Sequence, residues 1–439
     1  MAFADPDRLD DELIKPQATP PLHRIPARGL SAMLNRSFLK AGHTPTLLSA
    51  FFYFDLSFMV WVILGPLGVA ISKSFHLDPA QKGLMVATPL LAGAFLRLVF
   101  GVLVDHIGPK RSGIIGQLVV LAGLGLAWFL GVHSYNQVLI LACVLGVAGA
   151  SFAVALPLAS RWYPPEYQGL ALGIAGAGNS GTALAALFAP TLAKAYGWNN
   201  VIGLAALPLL CAFVVFLIFA KDAPNRPAPK RLTQYLDVLK TPDAWWLMFL
   251  YSVTFGGFSG LASSLTIYFA GEYGLDPVVA GLFTAACVFF GSALRPVGGA
   301  VADRIGGVRT LMGVYALAAC ALAVASFHQA GPAAGLAVLL VAMGALGAGN
   351  GAVFQLAPQR FRAEIGVITG LVGAMGGVGG FYLATTLGLA KQATGTYQAG
   401  FLGFAALALV ALAALAALKS HWRARWPQIA GAQAATVRV

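Results

Sequence analysis

Two arginines, Arg97 and Arg295, stand inside long apolar runs, in the segments AGAFLRLVFG and GSALRPVGGA. Each precedes an aspartate by eight residues, Asp105 and Asp303, which is roughly 12 Å along a helix rising 1.5 Å per residue. Placing a guanidinium that deep in hydrocarbon costs about 2.5–3.5 kcal/mol, and the side chain is too far in to reach the surface readily. Neither run offers an acid nearby, so each arginine needs a counter-ion from elsewhere. A bound anion would supply it. A guanidinium is planar with five fixed donors, and two of them can grip a small planar trigonal anion in several bidentate ways. The alternative is that backbone carbonyls or a distant acid satisfy each arginine.

Asp55 is the third ionisable group at depth, about ten residues into the run FFYFDLSFMVW. A lone carboxylate is costly there when charged, which makes it a candidate proton carrier. A fixed ion pair with Arg97 or Arg295 is the other reading. No other catalytic chemistry is visible: the sequence shows no metal-ligand spacing, no Ser/His/Asp arrangement and no phosphate loop. The string Gly176-x-Gly178-x-x-Gly181 fits a dinucleotide fingerprint in letters only, because it lies within an apolar run with no strand before it. Neither an enzymatic activity nor a cofactor is expected.

The elements that must hold these residues follow from composition. The 439 residues are 58% hydrophobic and only 10% charged, where soluble domains carry about a quarter charged residues. Only a lipid bilayer accommodates so much apolar surface. Twelve runs are long enough to cross it, at roughly 45–72, 80–104, 112–132, 137–159, 167–192, 198–220, 244–271, 279–303, 309–328, 334–357, 364–390 and 397–418. The expected fold is an all-α membrane protein of twelve transmembrane helices in two pseudo-symmetric six-helix halves. The 28 Lys and Arg residues crowd the connections on the side of both termini, and the opposite side holds only Lys73, Lys82, Lys194 and Lys391. That asymmetry places both termini in the cytoplasm of a multi-pass inner-membrane protein. It also explains the net charge of +12 without a nucleic-acid partner.

Residues 1–43 mix Pro with both charge signs and read as a disordered cytoplasmic tail. The six-helix halves are 44–220 and 244–418, and a second tail follows at 419–439. Between the halves, 221–243 is a basic, Pro-rich linker ending in an amphipathic stretch, with Leu232, Tyr235, Leu236 and Leu239 on one face. Cys143, Cys211, Cys287 and Cys320 all lie in apolar runs and are expected to be small buried hydrophobes. His133 and His328 fall at external loop ends as ordinary surface residues. Asn350 and Gln355 are polar at depth and read first as links between helices.

The halves repeat. Gly101-x-x-x-Asp105-His106-x-Gly108-Pro109-Lys110-Arg111 returns as Gly299-x-x-x-Asp303-Arg304-x-Gly306-Gly307-x-Arg309, with Arg97 and Arg295 in register. Gly169, Gly173 and Gly176 return likewise as Gly366, Gly370 and Gly373. A six-span duplication suits a carrier that rocks about a site between its halves. A single closed bundle makes a monomer the expectation.

The repeated motif resembles the signature of the major facilitator superfamily. The resemblance implies that Asp105 and Asp303, with Arg111, Arg304 and Arg309 as partners, latch the helix ends on the terminal side in the outward-facing state. His106 departs from the family's usual Arg or Lys. A narrower resemblance rests on GLALGIAGAGNSGTA, TGLVGAMGGVGGF and GAGNGAVFQLAP together with the two arginine segments. These are similar to the nitrate/nitrite porters. The resemblance assigns Arg97 and Arg295 to nitrate, with nitrite as a second substrate, and places Tyr251, Phe255, Phe152 and Asn179 around it. Gly178 and Gly376, from the glycine-rich pair, would form a thin wall beside the anion. In that family one branch exchanges nitrate for nitrite and another carries nitrate with protons; the span-one Asp55 points to the second. Exchange stays open, as does a membrane sensor that binds nitrate without moving it.

Overall fold

The computed structural model describes residues 36–224, 237–361 and 364–430, so the tail up to residue 35 and Leu232, Tyr235 and Leu236 of the amphipathic stretch lie outside the described residues. Among the described residues twelve helices are long and apolar enough to span a membrane. They are α1 Thr44–Phe75, α2 Pro79–Ile107, α3 Pro109–Leu130, α4 Tyr135–Ser160, α5 Ala171–Tyr196, α6 Trp198–Phe219, α7 Pro242–Tyr273, α8 Pro277–Ile305, α9 Gly307–Ala325, α10 Pro332–Arg360, α11 Ile365–Thr394 and α12 Gln398–Ala430. Large apolar side chains such as Phe95, Phe129, Ile140 and Phe289 face outward, as helices bathed in lipid require.

The ends are set by local chemistry. Proline occupies the first turn of α2, α3, α7, α8 and α10, where a missing N–H is harmless. Asp78 and Gln81 form a reciprocal capping box at the start of α2, and Asp276 caps α8. The repeated motif glycines Gly108 and Gly306 have φ of 90° and 98°. An L side chain is strained at such a φ, so these turns between α2 and α3 and between α8 and α9 call for glycine.

The inner helices are interrupted. α1 breaks at Val62–Ile63 and α4 at Ala150. α5 passes through a 3₁₀ turn at Ala177–Ser180. The continuous apolar runs give no sign of these breaks. α12 continues into the expected C-terminal tail as far as Ala430, and Trp422 and Trp426 there are buried and both donate to Asp243 at the start of α7, over 2.9 and 3.3 Å. Cys287 is buried as expected, but Cys143, Cys211 and Cys320 lie on the outer surface. A thiol facing lipid is as well placed as one facing the core.

Within the first six helices α2 packs on α4, and within the last six α8 packs on α10. The two sets meet along matching seams, α2 against α11 and α5 against α8. At the face opposite the termini these seams are shut. Gly83 touches the backbone of Ala384 and Gly388, Gly281 touches that of Ala186, and Lys194 meets Asp276 at 3.2 Å. Toward the terminal face the same helices diverge. Gly377 and Gly380 of α11 pack on α2, yet Gly366 and Gly370, on the same stripe, have nothing within 4 Å of where a methyl would sit. Gly173 of α5 is equally free. The bundle is therefore open at its terminal face and closed at the far one. In a chain whose native cysteines are replaced by serine, Gly370→Cys should react with a water-soluble thiol reagent far faster than Gly377→Cys. Equal rates would contradict this division.

Candidate functional site

Arg97 lies on α2 with 1% of its surface exposed. Its Nε donates to the Gly149 carbonyl of α4 at 2.9 Å, and its Nη1 donates to the Gly373 carbonyl of α11. The guanidinium sits among the rings of Trp61 at 5.0 Å, Phe152 and Phe255 at 5.3 Å, and Phe58 at 5.8 Å. Desolvated cation–π contacts contribute about 2 kcal/mol, but neither rings nor carbonyls neutralise a charge. Nη2 has no partner. The backbone-carbonyl alternative thus holds for part of Arg97 and leaves one nitrogen facing inward, unused.

Arg295 lies on α8 over the Phe354 ring at 5.9 Å, half-buried, with its Nη1 likewise unpartnered. Neither arginine forms a salt bridge among the described residues. The two guanidinium groups are near enough to repel one another. Tyr251 stands between their fields. Its ring stacks on Phe255 at 5.2 Å and meets Phe354 edge-on at 5.0 Å. Its hydroxyl lies against Arg295 but outside hydrogen-bond geometry, so it too is buried without a partner. A buried unmade hydrogen bond costs about 1–3 kcal/mol, more for a charged group. Three such donors near one another suit an acceptor that carries negative charge.

Glycine makes room for it. A methyl at Gly376 would run into Tyr251 and Phe255, and one at Gly373 would press on Phe152. At Gly176 a methyl would stand 4.0 Å from Arg295 Nη2. Gly178 is placed differently: it packs α5 on Phe54 and the Asp55 backbone, away from the two arginines. Asn179, in the 3₁₀ turn of α5 that touches α1 and α8, is buried with both amide atoms unpartnered. Asn350 is buried with its Oδ1 unpartnered, and Gln355 lies beside Gly307 at the start of α9.

Asp55 pairs with neither arginine. Its carboxylate accepts from Ser180 Oγ at 2.7 Å and from the Gly181 amide. The break in α5 thus presents Asn179 and Ser180 side by side, one buried between α1 and α8 and the other bonded to the acid.

Sequence reasoning missed Trp61, Phe58, Phe354 and Ser180. Phe58 and Trp61 follow Asp55 at helical spacing and Ser180 follows Asn179, so proximity in the chain was the available signal; Phe354 had none.

The sequence profile described as Major Facilitator Superfamily matches residues 47–384. The chain belongs to the Major Facilitator Superfamily. Within that superfamily it is 32% identical over 348 residues to "Nitrite extrusion protein" of Bacillus subtilis, covering 79% of this chain and 87% of that one. It is 33% identical over 354 residues to "Probable nitrate/nitrite transporter NarK2" of Mycobacterium tuberculosis, covering 79% and 89%. It is 32% identical over 390 residues to "Probable nitrate/nitrite antiporter NarK1" of Thermus thermophilus, covering 79% and 85%. The chain thus groups with the nitrate/nitrite porters of the superfamily. The fold is also that of a bacterial homologue of the human lysosomal transporter Spinster, solved in an inward-facing and occupied conformation, with TM-score 0.64 at 17% identity over 85% of this chain and 96% of that one.

The superfamily motif shows one difference from expectation. Asp105 forms its salt bridge with Arg161 at the end of α4, 3.2 Å away, and not with Arg111, whose side chain is exposed. Asp303, Arg304 and Arg309 all lie exposed around the α8–α9 turn.

Trp61 ties the cage together, since its Nε1 donates to the Pro89 carbonyl of α2 at 2.7 Å. Trp61→Phe keeps a ring over Arg97 and loses that bond, so thermal unfolding should report a loss of about 1 kcal/mol. Trp61→Ala should lose about 3–5 kcal/mol. Unchanged melting of both variants would contradict the cage.

Proposed function

We propose that this protein carries nitrate across the cytoplasmic membrane by alternating access, with the anion held between Arg97 and Arg295 and its entry coupled to protons. The observation that carries the reading is the convergence of three unpartnered groups, Arg97 Nη2, Arg295 Nη1 and the Tyr251 hydroxyl, with no carboxylate among them. A planar trigonal anion can accept from two guanidinium forks and a hydroxyl together. The stacked rings of Tyr251 and Phe255 would clamp it and keep water out. The names of the relatives point to the same substrate, with nitrite beside it.

The mechanism follows from charge. Two arginines on opposite halves repel when nothing lies between them, which resists closure of the terminal face. An anion between them removes the repulsion and joins the halves, so occupancy favours closure there. The excess of Lys and Arg on the terminal side supports a cytoplasmic terminal face, and the conformation described is then inward-facing. In the outward-facing state, after that face closes, the motif charges around the α2–α3 and α8–α9 turns would act as a latch across it.

Asp55 supports proton coupling. It is buried and bonded to Ser180, adjacent in sequence to Asn179. A proton on Asp55 would alter the turn that carries Asn179, linking its charge to the anion's. Exchange of nitrate for nitrite is the second reading, favoured by the name of the Thermus thermophilus relative.

Nitrate uptake into proteoliposomes tests the arginines. Lys keeps the charge but loses the fork, so Arg97→Lys and Arg295→Lys should each lower uptake at least about tenfold, the equivalent of 1.4 kcal/mol. Wild-type uptake by both would refute the assignment. For coupling, an inward proton gradient should drive uptake in the parent, while Asp55→Asn should retain nitrate counterflow and lose the response to the gradient. Uptake indifferent to the gradient but dependent on internal nitrite would establish exchange instead.

A further inference from the structure

We infer that the far face carries a second anion site, a basic antechamber that holds a small inorganic anion outside the closed seam. It rests on the proposed anion traffic and its orientation, which makes the far face external. A cavity of about 320 Å³ lies there between the ends of α1, α2, α7 and α11. Lys73, Lys82 and Lys391 line it, together with Ser72, Ser264 and Tyr397, and no acid contributes to its wall. These are three of the four lysines on that side. Lys73 and Lys82 come from the first six helices and Lys391 from the last six, so the site straddles the seam. Its floor includes Gly83 and Gly388, the glycines whose contact shuts the pathway.

The nearby acids are committed elsewhere. Asp78 acts on Lys82 from a distance while its carboxylate caps α2. Asp276 acts on Lys73 while it caps α8 and pairs with Lys194. Glu272 takes Lys391 at 3.0 Å and His328 at 3.2 Å. Neither Lys73 nor Lys82 has a salt bridge among the described residues. Two uncommitted ammonium groups in one apolar-walled pocket, with hydroxyls beside them, attract a monovalent anion and exclude a cation. The pocket is half-enclosed, and charges in a low-dielectric recess are screened less than those on an open surface. An anion waiting there stands at the entry when the seam parts.

The test is protection of Lys82 from an impermeant N-hydroxysulfosuccinimide acetate in proteoliposomes, read residue by residue by mass spectrometry. Nitrate, compared with gluconate at equal ionic strength, should slow acetylation of Lys82 at least about threefold. Exposed Lys194, outside the cavity, should not respond. Protection should persist in Arg97→Lys, because the antechamber lies outside the central site. Lys73→Gln should raise the nitrate concentration needed for half-protection. Equal rates in nitrate and gluconate would overturn the inference. So would protection that disappears in Arg97→Lys, since the central site would then be acting through a change of conformation. Failure of the central-site reading would appear separately, as undiminished transport by Arg97→Lys with Lys82 still protected.

Discussion

Like charge held in a medium that cannot screen it is the constraint on which this molecule turns. Two guanidinium groups in water at close range interact weakly; between packed helices the same pair repels several times more strongly. Among the described residues no carboxylate lies within salt-bridge distance of Arg97 or Arg295. Backbone carbonyls from Gly149 and Gly373 and four aromatic rings hold Arg97 in place, fixing its position without cancelling its charge. The proposed site would accept an anion and resist closure without one.

The glycines set how the two sets of helices meet around the paired arginines. On α11 a single stripe does two things: Gly377 and Gly380 let α2 pack closely, while Gly366 and Gly370 line the open end. Arg97 reaches across this seam to the Gly373 carbonyl, at the point where the packed part of the stripe gives way to the free part. The proposed anion site therefore sits where the packed and open parts of the seam meet. Side chains in place of these glycines would hold the helices apart at one end or block their approach at the other.

The membrane constraints were legible in the sequence because hydrocarbon writes them into composition. Long apolar runs, basic residues crowded on one side and a duplicated motif gave twelve helices and the paired arginines. The motif glycines were legible too, and their positive φ at Gly108 and Gly306 supplies the reason. The breaks at Ala150 and at Ala177–Ser180 were not, since residues that tolerate a 3₁₀ turn also suit a helix. Trp61 stands close to Asp55 in the chain, but in an apolar run a ring over a cation looks like any other packed ring. Arg161 stands far from Asp105 in sequence, and only the packing of α4 on α2 brings them together. Gly178 resembled its neighbours in type but turned toward α1. The two tryptophans beyond 418, four residues apart, carried a helical signal that charge and composition obscured.

The most direct measurement is a structure determined at high resolution in the presence of nitrate. The account predicts a flat trigonal feature within hydrogen-bonding distance of Arg97 Nη2 and Arg295 Nη1, with the Tyr251 hydroxyl completing its contacts. Guanidinium heads that turn apart, or that are each engaged by a carboxylate with no anion between them, would contradict it.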